Sequence, residues 1–64
     1  MVGERIRSAR SKMGMTQKEL AEIVGISRTS INRIENNKVP KMKASTTYGI
    51  AQALKVPMEF LFCD

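Results

Sequence analysis

Val2, Ile6, Ala9 and Met13 recur at the three- and four-residue spacing of one helix face, with Arg5, Arg7, Arg10 and Lys12 between them. The pattern predicts an amphipathic helix over residues 2–13, with Met13 among its core residues. Gly14 follows, and glycine most readily takes the left-handed conformation that stops a helix. Thr16-Gln17-Lys18-Glu19 then has the spacing of a capping box. The Thr16 hydroxyl would accept from the backbone at Glu19, and the Glu19 carboxylate would reach back to the N-cap. A second helix is expected over 17–24, burying Leu20, Ala21 and Val24, with Met15 and Leu20 as a hydrophobic staple across its start.

Gly25 ends that helix, and the start signal repeats at once. Ser27 is an N-cap candidate and Ile26 with Ile31 forms a second staple, so a third helix is expected over 28–36. So short a connection forces a sharp bend, which Gly25 can supply through a positive φ. Residues 36–43 are a basic loop containing Pro40. A fourth helix is expected over 45–55, with Thr47, Ile50, Ala51 and Leu54 on one face; Gly49 inside it costs about 1 kcal/mol relative to alanine. Val56-Pro57 interrupts the chain, and Pro57 suits the first turn of a short last helix over 57–62. The expected architecture is a single all-α domain of five helices over residues 1–64.

Composition narrows the chemistry. A single cysteine, Cys63, and the absence of histidine exclude an internal disulfide and a zinc site. Cys63 has no evident activating base and reads as a chance thiol. No serine or cysteine has a base at motif spacing and no glycine loop could cradle a phosphate, so no enzyme, cofactor, metal or small-molecule ligand is expected. The longest apolar run is far too short for a membrane span, and the N-terminus lacks the apolar stretch of a signal peptide. A cytoplasmic protein is expected.

Eleven Lys and Arg against six Asp and Glu give a net charge of +5. A small basic domain favours polyanionic partners, although a solubilising surface accounts for the total equally well. The distribution says more. Four bases lie in Arg5–Lys12 and five in Arg28–Lys43, where Glu35 is the one acid. On a wheel advancing about 100° per residue from Arg28, Ile31 and Ile34 fall near about 300° and about 240°, while Arg28, Asn32, Asn36, Thr29 and Arg33 spread from about 0° to about 140°. One helix thus has an apolar inner face and an acid-free outer face. Arginine can donate twice to guanine, asparagine can read adenine, and threonine offers a hydroxyl and a methyl to thymine. A plain solvated face is the other reading, but such faces normally mix both charges.

The segment TQKELAEIVGISRTSINRIENNK, Thr16 to Lys38, resembles the Cro/cI-type helix-turn-helix family of phage repressors and bacterial regulators. Its anchors are Gln17, Ala21, Gly25, the apolar Leu20, Val24, Ile26, Ile31 and Ile34, and the closing Glu35-Asn36. The ending IAQALKVPMEFLF is similar too, so the likeness spans nearly the whole chain. Asn37 stands where the family often has glycine, and Thr46, Thr47 and Gly49 replace bulkier residues. The resemblance implies a compact lambda-repressor-like fold and a DNA-binding regulator of transcription, expected to be a repressor. It further implies that Ser27, Arg28, Thr29, Asn32 and Arg33 face base edges in the major groove. Gln17, Asn36, Lys38, Lys41 and Lys43 would contact phosphates, with Gln17 also placed to orient Arg28 or Thr29. Arg10 and Glu35 would meet as a partly buried pair between the first and third helices.

Such domains usually pair on two half-sites. The segment Pro57–Phe62 holds more apolar side chains than one helix face can bury. Met58, Leu61 and Phe62 are expected inward and Phe60 toward solvent, making Phe60 and Phe62 the candidate contacts of a homodimer. The alternative is a protein-interaction module, such as an antitoxin or anti-repressor. RNA is a weaker partner, since Tyr48 is the only tyrosine and no stacking platform is evident.

Overall fold

The computed structural model describes residues 2–62, so Cys63 lies outside the described residues. The helices are α1 (Val2–Lys12), α2 (Gln17–Val24), α3 (Arg28–Glu35), α4 (Ala44–Leu54) and α5 (Met58–Phe62). Each places one aliphatic side chain with no solvent exposure at the common centre: Ile6, Leu20, Ile31, Ile50 and Leu61. Burying a side chain of this size contributes roughly 1.5–3 kcal/mol. Ala9, Ala21, Ile34, Ala51 and Leu54 complete the core, with Val2, Met15, Val24, Ile26, Met58 and Phe62 packed against it. α2 packs on α3 and α4, while α1 lies across α3, α4 and α5.

Local chemistry sets the helix ends. Glu19 N–H donates to Thr16 Oγ1 at 3.0 Å and Thr16 N–H donates to Glu19 Oε1 at 2.9 Å, the reciprocal capping box. That backbone N–H, and then the Thr16 hydroxyl, hold the Glu19 carboxyl below its ordinary pKa. Gly25 closes α2 at φ 86°. Two residues later Ser27 Oγ accepts from Ser30 N–H at 3.1 Å and starts α3. α3 ends one residue earlier than expected, with Asn36 as its C-cap, and Asn37 takes the left-handed conformation at φ 58°. α4 begins at Ala44, with Lys43 at the N-cap and no side-chain bond there, and ends at Lys55 in the left-handed conformation. α5 begins one residue after Pro57.

Met13 corrects the sequence-based expectation. It is 40% exposed, not buried. α1 ends at Lys12, and the chain turns through Gly14 at φ 66°, with Met15 N–H donating to Arg10 carbonyl at 3.1 Å. The turn carries Met13 off the Ile6/Ala9 stripe and lets Met15 pack against the core instead.

α1 also approaches α3 unusually closely. A Cβ on Gly3 would lie 2.3 Å from the carbonyl oxygen of Glu35. The Gly3 N–H, in the first turn of α1, donates to Asn37 Oδ1 at 3.0 Å. No helix of the described residues is long and apolar enough to cross a membrane.

Candidate nucleic-acid interface

After the bend at Gly25, α3 packs on α2 and α1. Ile31 and Ile34 seat it on the core, which leaves Arg28, Thr29, Asn32 and Arg33 exposed on its other side. Gln17, the first residue of α2, comes beside this face: Gln17, Arg28, Thr29 and Asn32 line one shallow depression of about 300 Å³. Ser27 is exposed at the tip of α3, but its hydroxyl is engaged with Ser30 in the cap.

A second open groove, of about 390 Å³, runs between α3 and the 38–43 loop. Arg33, Lys41 and Lys43 rim it, and Val39 and Met42 form its apolar floor with Ile34. Lys38 is exposed just past α3, where its N–H donates to Arg33 carbonyl at 2.9 Å. The expected base-reading and phosphate-binding residues therefore gather on and beside α3.

The acid that interrupts this basic stretch is turned inward. Glu35 is 1% exposed, and it is the one charged residue buried among those described. Arg10 donates to it twice, Nε to Oε2 at 2.7 Å and Nη2 to Oε1 at 3.1 Å, and also donates to Met15 carbonyl at 2.7 Å. Gln17 Nε2 donates to Glu35 Oε1 at 3.2 Å, so the Gln17 amide, expected to orient Arg28 or Thr29, is itself held by Glu35. Arg7 Nε stands 3.6 Å from the same oxygen. Every buried side-chain nitrogen and oxygen among the described residues has a partner. A buried carboxylate surrounded by donors leaves the outward face of α3 free of negative charge.

Asn36, expected at a phosphate, is engaged within the protein. Its Oδ1 accepts from Arg7 Nη2 at 3.4 Å, and its Nδ2 donates to Asn32 carbonyl at 2.8 Å and faces Asn32 Oδ1 at 3.3 Å. Sequence reading gave Arg7, Gly3 and the Asn37 side chain no role. Their partners lie 29 and 34 residues away, beyond any local spacing signal.

Phe60 is 54% exposed. With Met13 it walls an apolar groove of about 280 Å³ floored by Ala9, Leu54 and Val56. Phe62 is half-buried against the core. Among the described residues no group of three or more His, Cys, Asp or Glu side chains could hold a metal.

Five helices around one core, with a short glycine turn presenting a polar, basic third helix, define a helix-turn-helix domain. The chain belongs to the helix-turn-helix domain family, whose profile matches residues 3–62. It is 41% identical over 59 residues to the HTH-type transcriptional repressor RghR of Bacillus subtilis, covering 92% of this chain and 44% of RghR. It is 36% identical over 63 residues to an uncharacterized transcriptional regulator in the ATPase CF(0) region of Rhodospirillum rubrum, covering 98% of this chain and 57% of that protein. The chain thus spans about half the length of these curated relatives. The P22 c2 repressor in complex with a synthetic operator superposes with a TM-score of 0.92 at 27% identity, covering 98% of this chain and 94% of that one.

Proposed function

We propose that this chain is the sequence-specific, double-stranded-DNA-binding part of a cytoplasmic transcriptional repressor, and that it lays α3 in the major groove. The observation that carries this reading is the outward face of α3. Arg28, Thr29, Asn32 and Arg33 stand exposed together while the helix's one acid is sealed behind them. The relatives and the operator-bound P22 c2 repressor support the same role. Arg28, Thr29, Asn32 and Arg33 face base edges, with Ser27 at the helix tip. Lys38, Lys41 and Lys43 lie along the backbone, where Gln17 contributes from the start of α2. Phosphate contacts fix position and carry the salt dependence, whereas base contacts specify sequence.

Selection of bound sequences from random duplex DNA, followed by binding at several salt concentrations, tests this. Arg28→Ala or Arg33→Ala is expected to cost roughly 1–3 kcal/mol and to relax preference at particular base pairs. Lys38→Ala is expected to weaken binding to all sequences and to flatten the salt slope by about one. Equal losses on selected and random DNA for Arg28→Ala would refute the assignment. A chain that enriches no sequence would favour a protein-interaction module instead.

A lone recognition helix reads few base pairs, so two copies are expected to bind half-sites about 34 Å apart. Phe60, the exposed aromatic beside the Met13 groove, is the proposed contact between them, with Phe62 behind it.

A further inference from the structure

The side-chain amide of Asn36 is over-determined by its neighbours. Arg7 can only donate, so the atom facing Arg7 Nη2 must be the Asn36 oxygen. The Asn32 carbonyl can only accept, so the atom 2.8 Å from it must be the Asn36 nitrogen. The two constraints agree. Asn36 Nδ2 therefore also faces the Asn32 side chain at 3.3 Å, and the atom it meets there is an acceptor, Asn32 Oδ1. An amide has its oxygen on one side and its nitrogen on the other. With Oδ1 turned toward Asn36, Asn32 keeps Nδ2 and its two protons on the side away from Asn36, and the residue lines a depression with Gln17, Arg28 and Thr29. Arg7 is itself steered to this place by Glu35, whose carboxylate stands 3.6 Å from its Nε.

We propose that Asn36, held by Arg7, is a positioning residue that orients the Asn32 amide donor-outward, and so sets which base edge Asn32 reads. This rests on the base-reading role of α3 given above, and it replaces a phosphate contact for Asn36. A donor-outward amide matches the acceptors of the major groove: guanine N7 and O6, adenine N7 and thymine O4. It does not match the cytosine amino group. Arg7 and Asn36 thereby influence one base pair without touching it.

The experiment is selection from random duplex DNA with the parent, Asn32→Ala, Asn36→Ala and Arg7→Ala, with thermal melts of all four. Arg7 and Asn36 are exposed, so both variants are expected to fold. Asn32→Ala locates the pair that Asn32 reads. The expected result is that Asn36→Ala and Arg7→Ala lose discrimination at that same pair, by roughly three- to tenfold, the worth of one hydrogen bond. Preferences at the pairs read by Arg28 should stay as in the parent. In an Asn32→Ala background neither variant should have a further effect on discrimination. A uniform loss of affinity with all preferences intact would overturn the proposal and return both residues to the backbone. A parent that selects no sequence would refute base reading itself, and the relay with it.

Discussion

Arg10 and Glu35 meet across the α1–α3 interface as a two-pronged pair, with the Glu35 side chain fully shielded and that of Arg10 14% exposed. Charges buried this far gain their attraction only by giving up hydration, so removing one partner is worse than never having had the pair. Glu35→Gln is expected to cost up to about 3–5 kcal/mol. In a domain of this size each kcal/mol moves the melting temperature by about 4–8 °C. Thermal or urea denaturation of the variant checks this, and a melt matching the parent would show the pair contributes nothing net. Replacing both partners with aliphatic residues should recover much of the loss.

The two buried or half-buried helical glycines should respond to alanine in opposite directions. At Gly3 a Cβ would sit 2.3 Å from a backbone oxygen of α3, so Gly3→Ala must push the helices apart. Overpacking of this kind costs about 1–3 kcal/mol. At Gly49 the nearest atom would be Val24 Cγ1 at 3.4 Å, an ordinary contact. Gly49→Ala should therefore stabilise, by up to about 1 kcal/mol. Denaturation midpoints of both variants decide the matter.

The capping box at α2 predicts part of the acid behaviour. The Thr16 backbone and hydroxyl hold the Glu19 carboxyl below its ordinary pKa, so its stabilisation is present above the unfolded value and is lost as pH falls through the folded one. Between about pH 6 and about pH 3, the parent should lose stability more steeply than Glu19→Gln. Parallel curves from denaturant titrations across that range would show that the cap carries no pH dependence.

Phe60 should affect pairing and not reading. On a full palindrome the parent is expected to bind cooperatively, and Phe60→Ala to lose that cooperativity while keeping the parent's affinity for a single half-site. Gel shifts on both duplexes measure it. Cooperativity surviving Phe60→Ala would move the contact elsewhere, with residues 39–46, the end of the loop and the first turn of α4, as the next candidate.

What could be read from the sequence follows the range of each interaction. The capping box spans the four residues Thr16 to Glu19 and the turn the three residues Gly25 to Ser27, so α2 and its link to α3 were legible to the residue. The outer face of α3 followed from helical periodicity alone. The Arg10–Glu35 contact joins positions 25 apart; no spacing rule reaches so far, and only family resemblance pointed to it. The Gly3–Asn37 bond and the Arg7–Asn36–Asn32 relay had neither signal. Met13 failed for a different reason: periodicity does not say on which residue a helix stops, and one residue decides whether a side chain stays on the stripe. The engagement of Asn36 was hidden because its residue type suits a phosphate and an intramolecular bond equally.

The close approach at Gly3 and the Arg10 pair both fasten α1 to the last turn of α3, while the first turn of α3 is organised by its own Ser27 cap. Between those two ends, Ile31 is fully buried and α2 packs against α3, so the helix is supported along its length. A substitution that moves α1 is thus expected to reach the Arg33 end of α3 first, because both fastenings act on that last turn.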